Sequence, residues 1–133
     1  MENCIFCKII AGEIPAEKIY EDEKVLAFLD INPVTPGHVL LIPKEHYQMM
    51  TDMPDELLAY CFAKSKELMV KIKEAMDADF VALSVVGIDV PHFHIHLVPR
   101  KFNDGLANFW PTTKYTEGEM QKTADKIKKE MSF

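Results

Sequence analysis

No stretch of the chain approaches the ~18 consecutive apolar residues that a membrane span requires, so no transmembrane segment is expected. The basic-then-apolar plan of a secretory signal is also missing, because MENCIFCKII carries acidic Glu2, polar Asn3 and Lys8 inside its apolar run. Cysteine is scarce and odd in number: three residues, of which Cys4 and Cys7 form a C-x-x-C pair and Cys61 stands alone in an apolar helical pattern. That count argues against a disulfide framework and for a reducing, cytoplasmic setting. Lys and Arg form no run beyond the exposed end of the last helix, and the formal net charge is -6. Extended nucleic-acid polymers are therefore poor partners, while a small anion held by local donors is still compatible. There is no internal repeat and no low-complexity tract.

What is present is 133 residues, 48% hydrophobic and 27% charged, enough for one compact domain spanning 1–133 around one core. Apolar Ile5, Phe6, Ile9 and Ile10 follow a 3-4 spacing that predicts a short helix from Asn3 to Gly12, with Cys4 and Cys7 one turn apart. Lys18–Tyr20 and Val25–Leu29 read as a hairpin around Glu21-Asp22-Glu23. Two prolines and a glycine make 32–37 a loop, and His38–Ile42 follows as a strand. Asp52-Met53-Pro54-Asp55-Glu56 opens a helix to about Met76, with Leu57, Cys61, Leu68, Ile72 and Met76 as its buried stripe. Phe80–Val86 suits a central strand, and Gly87-Ile88-Asp89 the turn after it. Thr116-x-x-Glu119 is a capping box for a terminal helix over about 116–131, with Met120, Ala124, Ile127 and Met131 on one stripe.

This order predicts an α+β domain: about five strands in a mostly antiparallel sheet, with two to three helices on one face. Val39–Ile42 is apolar on both faces, and a homodimer is the simplest cover for the second.

The segment PHFHIHLVPR carries His92, His94 and His96 at alternate positions. Strand alternation sends Phe93, Ile95 and Leu97 to the core and the three imidazoles together to the other face. At about 3.3 Å per residue the outer pair lies about 13 Å apart. Two neighbours could share one metal, but three on one ion would strain an unbulged strand, so at least one imidazole is free for chemistry. A strand histidine taken singly is read as a surface residue; three in phase are read as a site. A ring that is partly neutral near pH 7 can attack phosphorus while a protonated neighbour serves the oxygens.

With His92-Phe93-His94-Ile95-His96-Leu97-Val98 the chain resembles the histidine triad family of nucleotide hydrolases and transferases, whose signature is His-φ-His-φ-His-φ-φ with φ apolar. Residues 4–15, 27–33 and 36–46 resemble family segments in family order. The resemblance implies an enzyme that hydrolyses nucleoside 5'-phosphoramidates or related purine nucleotidyl substrates through a nucleotidyl-histidine intermediate. It makes His94 the nucleophile, with His96 and His38 as flanking hydrogen-bonding partners, and it requires no metal for the chemistry. It assigns Asp30 to the ribose hydroxyls and Phe6, Ile10, Phe28 and Ile31 to apolar walls around the base. It implies a structural zinc on Cys4, Cys7, His46 and His92, a closed Cys2His2 set, and a homodimer with a purine nucleotide as ligand. Without the resemblance, the apolar residues also read as ordinary core and the thiols as buried and metal-free.

One segment departs from the family pattern. Many members precede the triad with Asn-x-Gly and then Gly-Gln-Ser/Thr-Val, whose side chains and amides hold the phosphate. Here the segment is Val85-Val86-Gly87-Ile88-Asp89-Val90-Pro91, a few residues shorter, leaving backbone N–H groups near Gly87 as donors and a carboxylate, Asp89, near the phosphate. Trp110-Pro111 resembles a tail segment that reaches toward the partner subunit; it reads equally as an anchor of the tail to its own core. Three alternatives stand beside the phosphoramidate hydrolase: a dinucleoside polyphosphate hydrolase, a nucleotide-binding module with little catalysis, and a zinc-dependent hydrolase with His94 and His96 as ligands.

Overall fold

The computed structural model describes residues 3–107 and 110–131; the ends of the expected 1–133 domain, Glu2 among them, lie outside the described residues. Helix α1 (Ile5–Ile10) begins at Cys4, whose sulfur accepts the Cys7 N–H at 3.4 Å, and stops where Gly12 turns left-handed at φ 80°. Strands β1 (Lys18–Glu21), β2 (Val25–Leu29), β3 (Val39–Pro43), β4 (Phe80–Ser84) and β5 (Ile95–Arg100) form one antiparallel sheet in the order β1-β2-β3-β5-β4. Helix α2 (Asp55–Ala75) connects β3 to β4, and α3 (Glu119–Glu130) follows the sheet.

Period-two alternation sorts the core into two layers. Val25, Ala27, Val39, Leu41, Phe93, Ile95 and Leu97 pack against Cys61, Leu68 and Ile72 of α2. Leu26, Phe28, Leu40 and Ile42 pack against Cys4, Phe6 and Ile9 on the opposite face. The helices therefore do not share one face as expected, and the second apolar face of β3 is covered by the chain's own α1, not by a second subunit. The strand expected to be central is an edge: among the described residues β4 pairs only with β5, ends at Ser84, and is half-buried to exposed along its length. Its apolar composition suits a long contact with β5 rather than burial on both sides.

The loop before β3 is fixed at Gly37, where φ is +93° and an added Cβ would lie 2.7 Å from Met76 Cγ. A side chain there would be strained twice over, by conformation and by contact. The helix expected to open at Asp52 begins later: Asp52 sits in a 3-10 turn, Met50–Asp52, and Pro54 precedes Asp55, the first residue of α2. Met76, expected in the buried stripe, is 38% exposed just past the end of α2. Only half of the Thr116 capping box forms: the Thr116 N–H donates to Glu119 Oε1 at 2.8 Å, but α3 begins at Glu119 behind a left-handed Gly118 with no side-chain cap hydrogen bond, and Met120, Ile127 and Met131 of the terminal stripe are exposed. No helix among the described residues is long and apolar enough to cross a membrane.

Candidate functional site

The three histidines end up on the α1 side of the sheet, His92 and His94 in the segment leading into β5 and His96 within it, opposite Leu40 of β3. They are not an exposed row: His92 and His94 are 0% and 1% exposed. Burial of polar rings demands partners, and those partners assign each proton.

His94 Nδ1 lies 2.7 Å from the His92 carbonyl oxygen. A carbonyl only accepts, so Nδ1 carries the proton and Nε2 of the neutral ring is left with a lone pair. Next to it, the Val34 N–H donates to His38 Nδ1 at 3.0 Å. His38 Nε2 therefore holds the proton and donates it to His96 Nδ1 at 3.0 Å, which leaves the His96 proton on Nε2. The Asp30 carboxylate accepts the Asn32 N–H at 2.8 Å and stands 3.7 Å from His38 Nε2. Burial lowers the pKa of His38, against the pull of Asp30, and burial followed by the nearness of His94 and His38 lowers that of His96. Both rings are accordingly neutral near pH 7.

His94 and His96 open onto a cavity of about 230 Å³ between α1 and the ends of the strands. Phe6, Ile9, Phe28 and Leu40 supply an apolar wall, and Asp30, Asn32 and Asp89 a polar rim. Phe6 stands edge-on to both Phe28 and His94, with ring centroids 5.5 and 5.1 Å apart. Asp89 Oδ1 is 3.5 Å from His94 Nε2.

A second cluster lies behind the first. Cys4 Sγ, Cys7 Sγ, His46 Nδ1 and His92 Nδ1 all fall within 4.8 Å of one another. Sulfur to nitrogen distances are 3.4 Å from Cys4 to His92, 3.6 Å from Cys7 to His92 and 3.3 Å from Cys7 to His46. The edge between a sulfur and a nitrogen on a tetrahedral zinc is about 3.5 Å, given bonds of about 2.3 and 2.0 Å. The His92 tautomer also suits a metal, since Nε2–H donates to the Pro43 carbonyl at 2.9 Å and turns the Nδ1 lone pair to the sulfurs. Burial, then the Cys4 sulfur, hold the Cys7 thiol up to about 11, so loading of a metal must expel that proton. Asp30, His38 and His96 also cluster within 4.8 Å, but there the His38 Nδ1 lone pair is taken by Val34 and Nε2 bears a proton. A metal on that Nε2 would have to displace it, so the set is a hydrogen-bonded relay.

The HIT domain family model matches residues 11–103, and Protein hit of Bacillus subtilis is 40% identical over 98% of this chain and 96% of its own length. The chain belongs to the histidine triad (HIT) family. Adenosine 5'-monophosphoramidase HNT1 of Candida albicans is 35% identical over 98% of this chain and 92% of that protein. A zinc-bound histidine triad family protein from Mycobacterium smegmatis matches with a TM-score of 0.76 at 32% identity, covering 97% of this chain and 98% of that one.

In this HIT protein, the cavity gathers Phe6, Phe28, Asp30, Ile31, Asp89, His94 and His96 from the residues singled out in the sequence, with His38 behind His96. Ile10 and Gly87 are not among the residues that line it. Ile10 packs against the core under α1, while Ile5, Ile9 and Ile14 face the cavity instead. The helical spacing identified α1 but not which of its apolar residues turn toward a ligand. Ile31 is 88% exposed at the rim. Trp110 is 80% exposed, so it does not anchor the tail in the core; it borders a shallow hollow with Phe80, Ala82 and Val98. Sequence reasoning missed the Val34 N–H, a backbone donor that sets the tautomers of two histidines and carries no side-chain signal.

Proposed function

We propose that this HIT protein hydrolyses nucleoside 5'-phosphoramidates and related nucleotidyl compounds through a nucleotidyl intermediate on His94. The observation that carries the reading is the His94 Nδ1 to His92 carbonyl bond of 2.7 Å, which puts the proton of the neutral ring on Nδ1 and points Nε2 at the cavity. Nε2 attacks the α-phosphorus and the P–N bond breaks, its electron pair leaving on the amine, which takes up a proton from water as it departs. The ring becomes a phosphorylated imidazolium whose Nδ1–H stays on the carbonyl. His96 Nε2–H donates to a phosphoryl oxygen as charge develops there, held in that tautomer by His38 and the Val34 N–H. Water then attacks phosphorus, the pair of the N–P bond returns to Nε2, and the nucleoside monophosphate is released. Asp30 would accept the ribose hydroxyls, and Phe6, Phe28 and the neighbouring isoleucines would hold the base. The name of the Candida albicans relative supports this substrate class.

The reading includes a structural zinc on Cys4, Cys7, His46 and His92, supported by the near-tetrahedral spacing and by the zinc-bound family structure. Such an ion would pin α1, and with it Phe6 and Ile9, to the sheet without entering the chemistry. It also includes residues 1–133 acting as one domain and a homodimer, for which the unpaired edge of β4 and the apolar hollow beside it speak. A zinc hydrolase built on His94 and His96 is disfavoured, because the two nitrogens of His96 are occupied by the His38 proton and by its own. A slow nucleotide-binding module is the second reading, favoured by Asp89 standing where donors are usual.

The test is hydrolysis of adenosine 5'-phosphoramidate by wild type and His94→Ala, each with and without a chelator. The expected outcome is turnover lost by about 10³-fold or more in the variant, with AMP binding kept and no immediate effect of the chelator on wild type. AMP binding without turnover in wild type would favour the binding module; prompt chelator inhibition without unfolding would favour the zinc hydrolase.

A further inference from the structure

Among the described residues, the lining of the cavity contains two carboxylates, Asp30 and Asp89, and neither lysine nor arginine. Asp89 Oδ1 lies 3.5 Å from His94 Nε2, and its side chain is 70% exposed. Since His94 Nδ1 already donates to the His92 carbonyl, a neutral His94 turns a lone pair toward the carboxylate. Two acceptors that face each other do not orient one another, so Asp89 is not there to align the nucleophile. It stands instead in the space a reacting phosphorus must enter, because attack requires the two atoms to approach within about 3–3.5 Å. An exposed side chain can turn aside by rotation about its own bonds. The short loop between β4 and β5 still keeps the charge close to the phosphate.

The proposed substrates and products differ in charge at that point. A phosphate bearing an amine or ester substituent carries one negative charge near pH 7, whereas a free monophosphate, with a second pKa near 6, carries nearly two. With no lysine or arginine among the described residues of the lining to offset it, a nearby carboxylate repels the dianion more than the monoanion. We propose that Asp89 is a specificity-determining residue that disfavours dianionic monophosphates, so that this site selects singly charged, phosphorus-substituted nucleotides and releases its monophosphate product quickly. The inference rests on the nucleotide reading of the cavity given above.

Asp89→Asn removes the charge and keeps the shape; Asp89→Glu keeps the charge and tests whether the loop tolerates change. Binding of AMP, of the singly charged methyl ester of AMP and of uncharged adenosine is measured by calorimetry for wild type and both variants. For an exposed carboxylate about 5 Å from the phosphate, each phosphate charge corresponds to about a two- to threefold effect, so a dianion to about three- to tenfold, largest at low salt. The expected result is AMP binding tightened about three- to tenfold in Asp89→Asn, the methyl ester tightened less, adenosine unchanged, and Asp89→Glu close to wild type. Equal shifts for all three ligands, or none for AMP, would overturn the inference. AMP binding that appears only in Asp89→Asn supports a repulsive Asp89. If neither wild type nor Asp89→Asn binds any of the three, the nucleotide reading itself has failed and the inference falls with it.

Discussion

Val34 contributes only a backbone N–H to the site, yet that donor decides which nitrogen of His38 is protonated, and through His38 which nitrogen of His96 is. Individual rings in this protein are thus specified by groups that accept or donate one way only: an amide for His38, a carbonyl for His92 and another for His94. The same burial that imposes these tautomers makes the folded protein sensitive to acid. His38 and His96 both have pKa values below the ordinary 6.5, burial being the first cause in each case. Below that value the unfolded chain binds protons that the folded rings refuse, so the stabilisation is full above pH 6.5 and is lost as pH falls toward the lowered values. Urea unfolding midpoints measured between pH 7.5 and 5.5 should fall in wild type. They should fall less in a His38→Asn, His96→Asn double variant; equal slopes would contradict the assignment. None of this could be read from the sequence beyond the presence of the rings. His92, His94 and His96 were legible as a set from their spacing, whereas their burial and protonation come from backbone groups.

At the scale of elements, α1 does more than its six residues suggest. It covers one face of β2 and β3 through Cys4, Phe6 and Ile9 and forms a wall of the cavity. A helix this short is not stable by itself, so its attachment must come from packing and from the Cys4, Cys7, His46, His92 cluster. The purified protein is expected to hold about one zinc per chain. Its removal by chelator, or Cys7→Ser, should lower the melting temperature and speed amide exchange over Ile5–Ile10. It should also raise KM for the phosphoramidate more than it lowers kcat, because α1 lines the part of the cavity proposed for the base and not the phosphate. Metal analysis with hydrogen exchange checks this; a metal-free protein with a well-protected α1 would count against it. The hairpin, β3, α2 and α1 were legible because local spacing and turn residues specify them. The order of the strands was not. A run such as Phe80–Ser84 has the composition of a buried strand, and only the pairing of β5 with β3 on its far side leaves β4 at the edge. The cover of the second sheet face by α1 was hidden for the same reason, since which element packs on a face is a tertiary outcome.

At the scale of the molecule, several apolar groups lack a partner within one chain. Among the described residues the β4 edge is unpaired, Leu83 and Trp110 are exposed, and the α3 stripe of Met120, Ile127 and Met131 faces outward. An unpaired apolar edge is an association surface, and the proposed homodimer would use it. Light scattering should give twice the chain mass, and Leu83→Lys should shift it toward the monomer; a monomeric wild type would contradict the proposal. The groups proposed for the chemistry, His94, His96, His38 and the Val34 N–H, all lie within one chain. The central claim is that His94 Nε2 takes the nucleotidyl group. It is tested most directly by quenching the protein during turnover of adenosine 5'-phosphoramidate under alkaline conditions, where a P–N adduct survives, and mapping the adduct by peptide mass spectrometry. The account predicts an adenylyl group on His94 in wild type and none in His94→Ala. An adduct on another residue, or continued turnover by His94→Ala without any adduct, would contradict it.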